Sequence, residues 1–312
     1  MAHPTEGILL VDKEGGQTSY SVVNEVKSAV RKLEIRKVGH AGTLDPFATG
    51  LLIILMGQGA KLSRFIMSEI KVYVATMKLG VETDTLDPTG RAVRTRVVPD
   101  LSPEYIQEKA REFVGKIEQI PPIYSAVKYM GTRAYKLARR GLHPGLKKRT
   151  ITVHSLRILS VDLPDVTMEV RCSGGTYIRS LAADLGRELG PGGHLKSLRR
   201  LACGAFKVKN AVRSGEISNM SASSSLQERV IPLRAALPNM GEIEVEEQLV
   251  KKVRQGHHPA WEELAKGVCE DGYDDGHVKL VNGDDLVAIV KVRENKGDAH
   301  GQGKIRIVRV FS

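Results

Sequence analysis

Twelve residues, Gly39-His40-Ala41-Gly42-Thr43-Leu44-Asp45-Pro46-Phe47-Ala48-Thr49-Gly50, set one carboxylate, Asp45, in a glycine-flanked turn just before an apolar run, Leu51 to Met56. Glycine opens backbone conformations closed to other residues and lets a ligand approach closely. Proline at position 46 pushes Asp45 out of the helical region and favours a turn. A polar group on a loop carried by a rigid element is a common place for chemistry; taken alone, an Asp-Pro pair is an ordinary turn former. Other chemistries lack their residues. Gly15-Gly16 is not followed by Gly-Lys-Ser/Thr, so no Walker loop is expected. Gly57-Gln58-Gly59 lacks the third glycine of a dinucleotide fingerprint, which argues against NAD or S-adenosylmethionine. Cys172, Cys203 and Cys269 are far apart and odd in number, with no CxxC pair, so neither a zinc site nor a disulfide framework is expected.

The elements that must carry the carboxylate read from periodicity. Gly7 to Lys13 is a short apolar run closed by charge, a strand. Tyr20 to Leu33 has one-faced helical spacing after the turn Glu14–Ser19. Leu51–Met56 is a buried strand, and a short helix runs from Gly57 to about Met67. Lys71 to Gly80 alternates as a strand, with Tyr73 sharing a face with Lys71, Ala75 and Met77. Ala92–Val98 reads as a second strand paired with it in a hairpin. Ser102 caps a helix through about Phe113, with Pro103 at its first position. The prolines keep Gln119–Lys128 extended, and Gly131–Gly141 reads as a short helix before the basic loop Lys147-Lys148-Arg149. Strands follow at Ile151–Val161 and Asp165–Cys172, then a helix at Leu181–Leu189 and a strand-like segment from Gly193. Pro232–Gly241 reads as a linker. Beyond it, strand candidates Val278–Val281, Leu286–Arg293 and Lys304–Phe311, separated by turn-rich Asp271–Gly276 and Asn282–Asp285, suggest a small β-barrel.

A chain of 312 residues suggests roughly two domains. Hydrophobic content of 41% with 27% charged residues fits a globular chain, and no apolar run approaches the ~20 residues of a membrane helix. With no secretory signal visible in Met1–Glu6 and no disulfide pattern, a cytoplasmic setting is expected. The net charge is +11, unevenly spread: residues 241–312 hold 11 basic and 14 acidic side chains, whereas residues 1–240 hold 36 basic and 22 acidic. A basic surplus confined to the first part points to a polyanion such as RNA.

The Gly39–Gly50 string resembles, nearly position for position, the signature of the TruB family of tRNA pseudouridine synthases. The likeness extends from Gly7 to about Leu237. It takes in Tyr73 in its strand, Ile120–Lys128 with Tyr135 and Arg139, Gly175-Thr176-Tyr177-Ile178-Arg179, and Gly193-His194-Leu195 to Arg200. Family members usually have proline where Glu14 stands. The resemblance implies an α+β fold with a central mixed, largely antiparallel sheet flanked by helices, plus a small C-terminal PUA-like β-barrel. It implies a catalytic domain over 1–237 and an RNA-binding domain over 242–312. The implied activity isomerises the T-loop uridine of tRNA, conventionally position 55, to pseudouridine, with no cofactor, no metal and no membrane, in a monomer whose partner is the T-arm.

It also implies roles. Asp45 is the catalytic carboxylate, acting as a nucleophile or by removing the ribose C2′ proton. Arg179 keeps it ionised and aims it, since a carboxylate buried without a partner loses its charge. Tyr73 stacks on the target base and is a candidate to take the C5 proton. Leu198 lies on the other side of the base, and His40 fills the stack that the flipped base vacates. Tyr177 is expected at the substrate. Lys13, Lys128, Lys147, Lys148, Arg149, Arg199 and Arg200 are candidate phosphate contacts. Two rival functions stay open at this point: an RNA-binding or chaperone module without catalysis, decided by a turnover assay, and another RNA modifier such as a methyltransferase, decided by activity without S-adenosylmethionine.

Overall fold

The computed structural model describes residues 5–31, 35, 37–142, 144–220, 225–264, 276–293 and 304–312. The end of the expected first helix at Leu33, residues 221–224, Cys269 and most of the turn expected over Asp271–Gly276 lie outside them.

In chain order the larger, N-terminal part begins with β1 (Gly7–Lys13), α1 (Ser19–Ala29), β2 (Val38–His40) and β3 (Thr49–Met56), then α2 (Ser63–Ser68) after a short 3-10 turn. β4 (Lys71–Leu79), β5 (Val81–Thr83), β6 (Ala92–Thr95), α3 (Pro103–Arg111) and β7 (Gly115–Gln119) follow. Next come β8 (Lys128–Tyr129), β9 (Thr132–Arg133), α4 (Ala134–Ala138), β10 (Arg149–Asp162), β11 (Asp165–Cys172), α5 (Ile178–Glu188) and β12 (Gly193–Cys203). Short strands β13 (Phe206–Lys207), β14 (Val212–Arg213) and β15 (Ile231–Pro232) close it. The last part has β16 (Glu242–Glu244), α6 (Glu247–Arg254), α7 (Trp261–Leu264), β17 (His277–Asn282), β18 (Asp285–Arg293) and β19 (Lys304–Val310).

The main sheet runs β14-β1-β3-β12-β4-β11-β10-β7, with β2 on β3, β13 on β12 and β15 on β1. It is mixed: β3 and β12 are parallel at its centre, and β1–β3, β12–β4, β4–β11, β11–β10 and β10–β7 are antiparallel. The near-continuous apolar character of β1 and β3 follows from burial on both faces. Leu9, Val11, Leu52 and Ile54 enter one core, while Ile8, Leu10, Leu51 and Ile53 enter another. That second core also receives Val281, Leu286, Ile289 and Phe311, so the C-terminal sheet packs against the back of the strands that carry the Asp45 loop. Its own sheet, β16-β17-β18-β19, holds a third core with α6.

Several boundaries depart from the periodicity. β6 pairs with β5 rather than with β4, because both edges of β4 are taken by β11 and β12 and every residue of β6 is exposed. The helix expected over Gly131–Gly141 shrinks to α4, since Met130 (φ 46°) and Gly131 (φ 82°) turn the chain into the β8–β9 hairpin. α3 keeps its Ser102 cap and Pro103 but ends at Arg111. α5 starts at Ile178, three residues earlier than expected, which places Arg179 in its first turn.

Candidate active site

The Asp45 loop spans the gap between β2 and β3, and its neighbours fix it from several sides. The Ser19 hydroxyl, at the start of α1, donates to the Leu44 carbonyl (3.0 Å) and accepts from the Leu44 N–H (2.9 Å). The Ala48 N–H closes a turn onto the Asp45 carbonyl at 3.1 Å. At the strand end, Gly50 has φ +100° and lies opposite Arg200 of β12. A Cβ there would sit 2.3 Å from the Arg200 carbonyl oxygen, so only glycine lets the two strands close.

Arg179 is 4% exposed and reaches Asp45 from α5. Its Nε lies 2.9 Å from Asp45 Oδ2, and its Nη2 donates to Oδ1 at 3.2 Å. The same guanidinium donates to the Thr85 carbonyl (3.0 Å) and the Tyr124 carbonyl (3.0 Å), and its Nη1 lies 3.4 Å from Asp87 Oδ2. A cation in the first turn of a helix opposes the helix dipole; two carboxylates and two carbonyls offset that cost here. The Asp45 side chain is 31% exposed, so it is paired and yet open to a ligand. Burial pushes its carboxyl above the ordinary carboxylate value, Arg179 pulls it back down, and Asp87 pushes it up again.

Asp87 is the residue that sequence reasoning missed. It is buried, and its Oδ1 accepts from the Thr85 hydroxyl (2.6 Å), the Thr89 hydroxyl (2.6 Å) and the Thr89 N–H (3.0 Å). Leu86 stands at φ 61°, a left-handed conformation unusual for leucine, and turns Asp87 inward. A second Asp-Pro pair was the available signal, and by itself it reads only as a turn. Gln119 was missed too. Its side chain accepts from the Tyr177 N–H (2.8 Å) and donates to the Tyr177 carbonyl (3.0 Å), holding the start of α5 against β7. Tyr177 stands at the N-cap position of α5, the helix that carries Arg179.

The structure brings Asp45 and Arg179 together and places Tyr73 and Leu198 in the same core as Leu44. Tyr73 is 8% exposed and lies opposite Arg200 in register. Burial pushes its phenol up and the bonded Arg200 guanidinium opposes this, so the side chain is held as a neutral phenol. His40, on β2, has its Nδ1 buried without a partner, and burial followed by Arg200 pushes its pKa down. The lowered pKa favours the neutral imidazole.

Two expected phosphate contacts are corrected. Lys13 is fully buried, and its ammonium donates to the carbonyls of Glu14 (2.9 Å), Gln17 (2.8 Å) and Pro46 (3.3 Å). Burial pushes it down to about 8, against the pull of Asp45. Arg200 is 2% exposed and donates to the carbonyls of Leu51 (2.6 Å) and Gly42 (3.1 Å). Lys13 spends all three donors on backbone carbonyls around Asp45, and Arg200, almost wholly buried, gives its Nε and one Nη2 hydrogen to backbone carbonyls there. Arg199 is half-exposed and pairs with both oxygens of Asp12, at 3.0 and 2.7 Å. Lys128, Lys147, Lys148 and Arg149 are exposed.

A cationic surface also arises where sequence counting showed an acidic balance. Arg64 of α2, His277 of β17, Lys291 of β18, and Arg306 and Arg309 of β19 line one groove of about 500 Å³ that contains no carboxylate among its lining residues. Burial and then the neighbouring Arg309 push the Arg64 guanidinium down. Among the described residues no cluster of three His, Cys, Asp or Glu side chains could hold a metal ion, and no helix is long and apolar enough to cross a membrane.

The model of the TruB family pseudouridylate synthase N-terminal domain matches residues 30–178, and that of the tRNA pseudouridylate synthase B C-terminal domain matches residues 179–238. A tRNA pseudouridine synthase B of Syntrophus aciditrophicus (strain SB) is 42% identical over 311 residues, covering 98% of each chain. One from Geobacter sulfurreducens (strain ATCC 51573 / DSM 12127 / PCA) is 35% identical, covering 98% of this chain and all of its own. A chain from the crystal structure of a Cbf5-Nop10-Gar1 complex superposes with a TM-score of 0.76 at 25% identity, covering 99% of this chain and 85% of that one. The signature loop, the buried aspartate–arginine pair and these matches together show that the chain has the pseudouridine synthase fold and belongs to the TruB family of pseudouridylate synthases, which are isomerases.

Proposed function

We propose that this chain converts the T-loop uridine of tRNA, conventionally position 55, to pseudouridine, with residues 1–237 doing the chemistry and residues 242–312, as a PUA-like domain, helping to hold the T-arm. The single observation that carries this reading is the Asp45 carboxylate, gripped by Arg179 and still open on one side. The tRNA pseudouridine synthase B relatives supply the substrate class. In the isomerisation, the bond from uracil N1 to ribose C1′ breaks and one from C5 to C1′ forms. The C5 proton leaves and N1 ends protonated, so no electrons are lost and no other group is transferred. Asp45 starts this as a nucleophile at the ring or sugar or as a base at the C2′ proton; both routes need it ionised.

Arg179 supplies the ionised form by pairing, and Asp87 fixes the guanidinium from its far side. Tyr73 and Leu198 form the walls that receive an extruded base. Extrusion costs a few kcal/mol, which a stacking side chain in the vacated place lowers; His40 is the residue in position for it. The exposed cations Lys128, Lys147, Lys148 and Arg149 and the groove at Arg64 supply phosphate contacts. The test is to map pseudouridine in tRNA incubated with the purified chain. Wild type should modify the T-loop uridine, and Asp45→Asn should lose at least about a thousandfold in rate, of the order of removing a covalent or general-base group. Equal rates in the two proteins would end the reading.

A further inference from the structure

We propose that Ser214 is a positioning residue for the Asp45 loop, acting through the turn that follows β1. Ser214 is 1% exposed and comes from far along the chain. β14 delivers it by pairing parallel to β1, with Val11 opposite Val212 and Asp12 opposite Arg213. Its hydroxyl accepts from the Glu14 N–H at 3.1 Å and donates to Gln17 Oε1 at 2.6 Å. The hydroxyl therefore ties together the two ends of the turn from residue 14 to residue 17.

That turn is what grips the catalytic loop. The Glu14 and Gln17 carbonyls are two of the three acceptors of the buried Lys13 ammonium. The third is the carbonyl of Pro46, the residue after Asp45, which also accepts from the Gly16 N–H at 2.8 Å. Removing the hydroxyl strands one N–H and one side-chain carbonyl. The two backbone carbonyls are then free to spread, Lys13 loses its fixed geometry, and residue 46 moves with the carboxylate beside it. Residue 14 is glutamate here and has the N–H this bond needs; a proline would have none. A misplacement of about 1 Å at a reacting group costs up to roughly a hundredfold in rate.

This inference rests on the proposed uridine isomerisation and is tested with the whole chain on tRNA. Ser214→Ala should lower the single-turnover rate about tenfold while the KM for tRNA stays within about twofold, because no RNA-facing group is touched. Ser214→Thr keeps a hydroxyl and should restore the rate. Gln17→Met removes the acceptor and should lose part of the same factor, with no further loss when combined with Ser214→Ala. If Ser214→Ala does not fold, the Gln17→Met and Ser214→Thr rates carry the test. A wild-type rate in Ser214→Ala or Gln17→Met, a loss confined to KM, or failure of a folded threonine variant to restore turnover overturns the role of Ser214. A wild-type chain that makes no pseudouridine overturns the proposed function instead.

Discussion

At the scale of single residues, the site is a balance between burial and pairing. Desolvation drives the Asp45 carboxyl up, and Arg179 is the main opposing influence. In the proposed reaction the charged form is the active one, so activity should fall as pH drops through the folded pKa, which lies above the ordinary carboxylate value. Removing the arginine removes the downward pull. Arg179→Gln should therefore move the acid limb of the kcat/KM profile to higher pH, as well as lowering its plateau. Rates measured across roughly pH 4–9, a span that brackets the acid limb, check this. An acid limb that stays in place would mean that Arg179 acts only as a spacer. Asp87 extends the same balance, since it shares the guanidinium with Asp45 and is itself locked by Thr85 and Thr89.

At the scale of elements, the decisive feature is the parallel β3–β12 pairing, which sets the Asp45 loop against the strand that carries Leu198 and Arg200. Gly50 makes it possible, through both its positive φ and the absence of a side chain. Gly50→Ala should destabilise the fold by about 2–4 kcal/mol, combining left-handed strain with a clash against backbone that cannot yield. Thermal or denaturant unfolding measures it, and an unchanged midpoint would show that the two strands can separate at no cost. Lys13 and Arg200 belong to this scale as well. They are cations turned into backbone clamps, and their burial is what fixes the loop's path.

At the scale of the whole molecule, the question is how a protein with an acidic C-terminal part holds a polyanion. Folding gathers Arg64, Lys291, Arg306 and Arg309 from α2, β18 and β19 into one groove, the proposed answer. If that groove takes phosphates, Arg64→Glu with Arg309→Glu should weaken tRNA binding. The slope of log affinity against log salt should then become shallower by roughly 0.7–0.9 for each phosphate that is no longer neutralised. Titration at several salt concentrations reads this, and an unchanged slope would assign the binding wholly to the exposed cations near residues 128–149. The groove could not be seen in the chain because charge counting adds residues along the sequence, whereas a surface potential depends on which of them share a face. The same reason hid Asp87 and Gln119: each looks like a turn or a spacer until long-range packing turns it towards Arg179 or Tyr177. It also misassigned Lys13 and Arg200, whose burial depends on strands far away in the chain. Local features were legible in the order of residues alone: the glycine and proline positions that shape the Asp45 turn, the alternation that makes β4 a strand with Tyr73 facing inward, and the Ser102 cap. The Arg179–Asp45 pair was expected only through the family resemblance; periodicity could not show it, because a guanidinium 134 residues from its partner is brought within 3 Å only when α5 lies against the sheet.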